Sequence, residues 1–121
     1  MNMNKKLEAL KAWGCNTDSA LERLLEDEEL YLEFLYEFTK EPSFDMLAVA
    51  LDENRSQDAF EYSHMLKGVA ANLSIDPLYE RLFSLTEALR GQSDCEAAKA
   101  EYESVAAAFA AFKDIMAGDE A

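Results

Sequence analysis

The feature that most constrains the fold is a leucine repeat behind a clear helix start. Residues 76–77 are aspartate and proline, which combine a good N-cap with the residue favoured at the first helical position. The repeat that follows has the spacing i, i+4, i+7 and i+11 and consists of Leu78, Leu82, Leu85 and Leu89. Gly91 ends it. This pattern predicts an amphipathic helix whose leucine face packs against other helices.

Amphipathic helical patterns also fill the rest of the chain, and no segment makes a convincing strand. The predicted helices cover about residues 7–13, 17–41, 43–53, 57–73 and 93–116, with a bend near 26–28 that would split the second. A capping box from Ser93 to Glu96 is expected to begin the last one. Because the breaks are short, neighbouring helices should pack antiparallel. We predict an all-α fold, an antiparallel four-helix bundle with additional short N-terminal helices, in one domain over residues 1–121.

Composition and charge limit the kinds of partner. Half of the 121 residues are apolar, and the formal net charge is −14. Nucleic acid and anionic membrane surfaces both require a basic surface, so both are disfavoured as partners. No run of about 18 apolar residues could span a membrane, and the first residues lack an apolar signal core. We expect a cytoplasmic monomer, and the start at Met1 favours a free-standing module.

The two cysteines do not indicate a metal site. Cys15 and Cys95 lie far apart in the chain, with no cysteine or histidine spacing typical of zinc binding. We expect two reduced, partly buried thiols; a disulfide between them stays open, but no feature requires one. We predict no metal and no cofactor bound by this chain.

The single histidine, His64, lies on the outer face of the predicted 57–73 helix. With successive residues about 100° apart, Leu66 lies at the centre of the apolar arc and His64 about 160° from it. A lone histidine in a helical domain is most often structural or incidental, but a core histidine would lie on the apolar arc. We therefore expect the imidazole to point outward.

The residues one turn beyond His64 favour a bulky anion beside the ring. Gly68 costs roughly 1 kcal/mol of helix stability relative to alanine, and its missing side chain leaves room at i+4. Lys67, at i+3, can bring an ammonium group to that room. A phosphoryl group is bulky and anionic, so it meets both conditions.

The short turn at residues 74–76 predicts a hairpin between the histidine helix and its successor. Residues equally far from Ile75 should lie level with each other. The expected level pairs are His64 with Thr86, Lys67 with Phe83, Ala71 with Tyr79, and Phe60 with Arg90. Two alternatives stay open: Tyr79 and Phe83 could simply widen the core, and Arg90 could be a cation favoured by the helix dipole.

These residues resemble the histidine-containing phosphotransfer (HPt) family. The resemblance rests on the run His64-Met65-Leu66-Lys67-Gly68, on residues 70–73 and 82–91, and on earlier runs at 21–25 and 28–35. It covers roughly residues 17–115. Its most specific part is the exposed His-x-x-Lys-Gly motif before a leucine-rich hairpin partner.

The resemblance implies a phosphocarrier of a multistep two-component phosphorelay and not an enzyme. His64 would accept a phosphoryl group on Nε2 from the aspartyl phosphate of one receiver domain and pass it to another. Lys67 would offset its charge and Gly68 would let the partner approach, while the receiver brings the acceptor carboxylate and a magnesium ion. The implied partners are response-regulator receiver domains and a hybrid histidine kinase. They would dock on residues near the ring: Phe60, Met65, Ala71 and Arg90.

Three positions depart from the family pattern. Ser63 stands where alanine is usual, and Ser74 stands where glycine is common. Thr86 stands where some members place a glutamine near the histidine. Thr86 is therefore kept as a candidate neighbour of the ring.

Two other functions fit parts of the pattern. A non-phosphorylated helical adaptor would use the same face to bind receiver-like or other proteins, but it would not need both Lys67 and Gly68. An acid–base enzyme using His64 would need a substrate cavity and an orienting partner, which a convex helix face does not offer.

Overall fold

The computed structural model describes residues 2–118, and this part of the chain forms seven helices and no strand. The all-α prediction is confirmed. The helices are α1 (Asn2–Trp13), α2 (Thr17–Arg23), α3 (Glu28–Phe38), α4 (Ser43–Asp52), α5 (Ser56–Asn72), α6 (Asp76–Leu89) and α7 (Ala98–Ala117). None of these helices is long and apolar enough to cross a membrane.

The N-terminal half breaks where the sequence predicts a bend. Leu25 and Glu26 have φ angles of 57° and 66°, a left-handed conformation that stops α2 and turns the chain. Asp27 then caps α3, because its Oδ1 accepts a hydrogen bond from the amide of Leu30 at 3.0 Å. The long 17–41 pattern is therefore two helices joined by a tight turn.

The last helix begins later than the capping box predicts. The amide of Glu96 donates to Asp94 Oδ1 at 3.1 Å within a loop, and α7 starts only at Ala98. The amide of Cys95 donates to Asn54 Oδ1 at 2.8 Å, across from the turn between α4 and α5. The predicted helix start at Ser93 was wrong, because Asp94 accepts the hydrogen bond of the Glu96 amide that a Ser93 cap would have accepted, and Asn54 accepts that of the Cys95 amide.

Apolar side chains from all seven helices meet in one continuous core. The leucine repeat of α6 lies fully inside it, and each leucine contributes about 1.5–3 kcal/mol by leaving water. Helix α6 packs between α5 and α7, while α4 packs on α5 and also touches α7. Helix α1 packs on α7 and contacts α2 and α3. The histidine helix α5 is thus supported from two sides by the core.

Contacts between α5 and α6 establish that these two helices run antiparallel. As the residue number increases along α5, the number of the residue that it contacts on α6 or just after it decreases. The contacting pairs are Phe60 with Arg90, Ser63 with Thr86, and Lys67 with Phe83. The predicted hairpin is confirmed.

The turn of this hairpin is held by side chains from the N-terminal half. The hydroxyl of Tyr31 donates to the Leu73 carbonyl at 2.7 Å, and Arg23 Nη2 donates to the Asn72 carbonyl at 2.7 Å. Arg23 Nη2 also donates to Ser74 Oγ at 2.8 Å. We call these five residues, Arg23, Tyr31, Asn72, Leu73 and Ser74, the turn clamp. It fixes the C-terminal end of the histidine helix.

Candidate functional site

His64 lies on the exposed side of α5, as the helical periodicity predicts. Its neighbour Ser63 and nearby Leu66 are fully buried on the other side of the helix. Among the side chains that the structure describes, those of residues 5–118, none makes a hydrogen bond to the imidazole ring. Both ring nitrogens are therefore open to a group from outside the chain.

Of the predicted docking set, Phe60 lies against the imidazole ring and Arg90 lies against Phe60. Phe60 stacks nearly parallel to His64, with ring centroids 5.9 Å apart and planes 10° apart. The guanidinium of Arg90 lies over the same Phe60 ring, 5.1 Å from its centroid. Phe60 is half-buried and packs on the core, so the imidazole and the guanidinium both lie against a ring that the core supports.

Lys67 lies one turn along α5 from the histidine. Its Nζ lies over the ring of Phe83, 5.4 Å from the centroid. No carboxylate of the described residues lies within ion-pair distance of this ammonium. Its positive charge is therefore not neutralised by direct contact.

Gly68 faces open space. A Cβ added at this position would meet no atom of the described residues within 4 Å apart from the backbone of its own helix, so packing within this part of the chain does not require glycine there. The helix carries the cost of a glycine without any gain in packing of its own. The free volume next to His64 and Lys67 is thus available to an incoming group.

Thr86 does not support the ring directly. It is fully buried, its Oγ1 donates to the Leu82 carbonyl at 2.7 Å, and it lies 2.6 Å from Ser63 Oγ. A threonine hydroxyl has only one proton, so Ser63 is the donor in that pair. Thr86, expected beside the imidazole, instead accepts a hydrogen bond from Ser63, on the core side of α5.

One charged residue near the site was missed by sequence reasoning. Glu87 forms a two-point ion pair with Arg90, with Oε2 to Nη2 at 3.0 Å and Oε2 to Nε at 3.2 Å. The hydrogen bond from Arg90 lowers the pKa of the Glu87 carboxyl, and the charges of Arg90 and Lys67 add to this. The i, i+3 spacing of Glu87 and Arg90 is the signal that could have revealed the pair.

Two large apolar side chains near the ring, Met65 and Phe83, are exposed. Met65 is 41% exposed, and Phe83, which the sequence allowed to be part of the core, is 45% exposed. Ala71 is also exposed, and its carbonyl accepts a 3.4 Å hydrogen bond from Arg23 of the turn clamp. We use the name histidine face for Phe60, His64, Met65, Lys67, Gly68, Phe83, Glu87 and Arg90.

The histidine face is a surface and not a cavity. A groove of about 590 Å³ lies on another side of the molecule, lined by residues of α1, α3 and α7 together with Asp27, and no residue of the histidine face lines it. No group of three histidine, cysteine or acidic side chains within residues 2–118 is arranged to hold a metal ion. The chemistry that this face can perform rests on the imidazole and its charged neighbours.

Comparisons of the chain with protein-family models, with curated proteins and with solved structures find no match.

Proposed function

We propose that this protein is an HPt-type phosphocarrier in a multistep two-component phosphorelay. His64 accepts a phosphoryl group from the aspartyl phosphate of one receiver domain and donates it to the aspartate of another. The observation that carries the proposal is the combination of an exposed imidazole, which has no hydrogen-bond partner among the described side chains, and a glycine one turn later that faces open space. Lys67, without a carboxylate in direct contact, adds the positive charge that such a group needs.

The transfer is an exchange of one bond for another. The lone pair of His64 Nε2 attacks phosphorus, the bond from phosphorus to the aspartyl oxygen breaks, and the carboxylate leaves with the electron pair. The proton of the reacting tautomer stays on Nδ1 and can then pass to water. The partner supplies the acceptor or leaving carboxylate and its metal ion, so this chain acts as substrate and carrier and not as an enzyme.

Charge and shape on the histidine face support this role. A phosphoryl group carries about −1.5 to −2 charges near neutral pH, and a cation one helical turn away lowers the cost of placing it on the ring. The parallel Phe60 ring limits how the imidazole can turn, which keeps its outer edge accessible. The supporting ring of Phe60, the ammonium of Lys67 and the open space at Gly68 therefore all lie within about one helical turn of His64.

A receiver domain would dock on the exposed apolar part of the same face. Met65 and Phe83 are each more than a third exposed, although both are large apolar side chains. Such residues favour association with another protein surface when they flank a functional group. We include receiver domains and a hybrid histidine kinase as partners, and we propose that the protein meets them as a monomer.

Two further parts of the proposal concern architecture and location. The packing of α4 on α5, of α5 on α6, of α6 on α7 and of α7 on α4 supports an antiparallel four-helix bundle, with α1–α3 as the additional N-terminal helices. Cys15 and Cys95 are free, buried thiols, which suits the reducing cytoplasm.

The proposal is tested by mixing the protein with phosphorylated receiver domains from the same cell. We expect an acid-labile, base-stable phosphoprotein that forms with the wild type and not with His64→Gln. Labelling that persists in His64→Gln would contradict the assignment of His64.

A helical adaptor is the second candidate, because Met65 and Phe83 would serve binding without phosphorylation. An adaptor predicts that the wild type and His64→Gln bind a receiver equally and that neither is phosphorylated. A carrier predicts equal binding with phosphorylation of the wild type alone.

A further inference from the structure

Glu87 is a negative charge that the structure places between the two cations of the histidine face, Lys67 and Arg90. It precedes Arg90 by one turn of α6 and follows Phe83, which lies under the ammonium of Lys67. Its neighbour Thr86 bonds Ser63, so the carboxylate is carried at the height of His64 on the adjoining helix. Glu87 is exposed, which leaves it accessible to whatever approaches the ring.

The ion pair fixes where the Arg90 charge is directed. Both Nε and Nη2 of Arg90 point to Glu87, and two-point pairing of this kind orients the whole guanidinium plane. The same guanidinium lies over Phe60, whose ring stacks on His64. The Phe60 ring thus links the guanidinium to the imidazole, and Nε and Nη2 of Arg90 each donate to the Glu87 carboxylate.

We propose that Glu87 is a regulatory counter-charge that competes with a phosphoryl group on His64 for Arg90 and Lys67. This inference rests on the proposed function and deepens it. While His64 is unmodified, Glu87 holds Arg90 in the ion pair. When the phosphoryl group arrives, it must share the cations with the carboxylate and is repelled by it.

The consequence is that phosphohistidine is held less tightly than the two cations alone would hold it. A carrier must release its cargo to the next receiver, so a site that bound the phosphoryl group too well would stop the relay. Glu87 weakens the retention of the group without removing either cation. It acts through Arg90 and Lys67 and is therefore a positioning residue.

The direct test measures the affinity of the histidine face for inorganic phosphate. The amide signals of His64 and Gly68 are followed by NMR during a phosphate titration of the wild type and of Glu87→Gln. Removing one unit charge from the adjoining helix should tighten binding about two- to fivefold at low salt. The gain should shrink at high salt, because exposed charges are screened.

Glu80→Gln is the matched control. It makes the same change of charge on the same helix, two turns earlier, where Glu80 has no ion pair with a described residue. It should leave the phosphate affinity unchanged. In the Arg90→Met background, Glu87→Gln should give a much smaller gain in phosphate affinity than it gives in the wild type, whereas a general loss of negative charge would give the same gain in both backgrounds.

Two results would overturn the inference: phosphate affinity in Glu87→Gln no higher than in Glu80→Gln, or no response to phosphate at Gly68 in any variant. A second measurement concerns the phosphorylated protein, where Glu87→Gln should shift the equilibrium with a receiver toward phosphorylated His64 by a similar factor. Failure of every receiver to label wild-type His64 would reject the proposed carrier function, while the phosphate titration would still decide the role of Glu87.

Discussion

The turn clamp and the histidine face both include residues of the same helix, α5, but differ in how their polar groups are bonded. At the C-terminal end of α5, the last carbonyls accept hydrogen bonds from Arg23 and Tyr31, and Ser74 is buried. Two turns earlier, His64 has no such bond, and Gly68 faces empty space. One region satisfies its polar groups within the chain, and the other leaves them free.

This difference teaches where stability and function reside in the molecule. The turn clamp joins residues more than forty positions apart and connects the N-terminal helices to the α5–α6 hairpin. Changes there should lower the free energy of unfolding and leave the chemistry of His64 intact. Changes on the histidine face should alter phosphoryl transfer with little loss of stability.

Alkaline pH should produce the largest effect on stability, and it acts on two buried groups: Tyr31 of the turn clamp and Cys15. Burial raises the pKa of the Cys15 thiol from 9.0 to about 12, and burial also raises the pKa of Tyr31. The folded protein therefore holds these protons more tightly than the unfolded chain. The stability they contribute is complete below about pH 9 and is lost as the pH rises toward 12.

We expect the free energy of unfolding to fall by on the order of 2–3 kcal/mol between pH 8 and pH 11, measured by urea denaturation. In Cys15→Ala, this fall should be smaller, because one of the two groups no longer titrates. A stability that stays constant to pH 11 would show that the two groups are not protected from water.

Tyr31→Phe should have the next largest effect. It removes the hydroxyl that donates to the Leu73 carbonyl and leaves that carbonyl without its partner, at a cost of about 1–3 kcal/mol. Tyr36→Phe is the control on the same helix, because Tyr36 is 54% exposed and should change stability by less than about 0.5 kcal/mol. If the two substitutions lowered the free energy of unfolding equally in chemical denaturation, the hydrogen bond of Tyr31 would not be what stabilises the turn.

Gly68→Ala should raise the stability of the protein and slow phosphoryl transfer. Alanine favours the helix by roughly 1 kcal/mol and meets no atom within 4 Å, so thermal unfolding should shift to higher temperature. The added methyl group occupies the space next to His64, so transfer from a phosphorylated receiver should slow. A loss of stability, or transfer at the wild-type rate, would contradict the interpretation of Gly68 as room for a visiting group.

Lys67→Ala should have the smallest effect. Loss of one unit charge near the ring is worth about 1 kcal/mol in water, which corresponds to roughly fivefold slower transfer or a comparably shorter phosphohistidine lifetime. Receiver binding and unfolding should hardly change. Lys113→Ala on α7 is the control, because Lys113 lies over Phe109, away from the histidine face. Identical kinetics for the two variants would remove Lys67 from the site.

Much of the fold and part of the site follow from local pattern. The leucine repeat predicts a buried face, and the outward direction of His64 follows from the same period of 3.6 residues. The short turn at residues 74–76 correctly predicts that Phe60 meets Arg90 and that Lys67 meets Phe83. These predictions succeed because each depends only on residues close together in the chain or on a single hairpin.

Features that depend on distant residues could not be predicted in this way. The hydrogen bond from the Cys95 amide to Asn54 lies in the loop before α7, and no local motif indicates it. The bonds of Arg23 and Tyr31 to the turn likewise cross more than forty positions. Thr86 was placed level with the histidine but turns to the core, because the hairpin height fixes the position along a helix and not the direction of the side chain.

The central claim is that His64 carries a phosphoryl group on the open edge of its ring. The most direct measurement is phosphorus–proton correlation NMR of the protein after incubation with a phosphorylated receiver domain. We predict a phosphorus atom bonded to Nε2 of His64, with no such signal in His64→Gln. A phosphoryl group found on any other residue, or none on His64 with every receiver of the same cell, would contradict the claim.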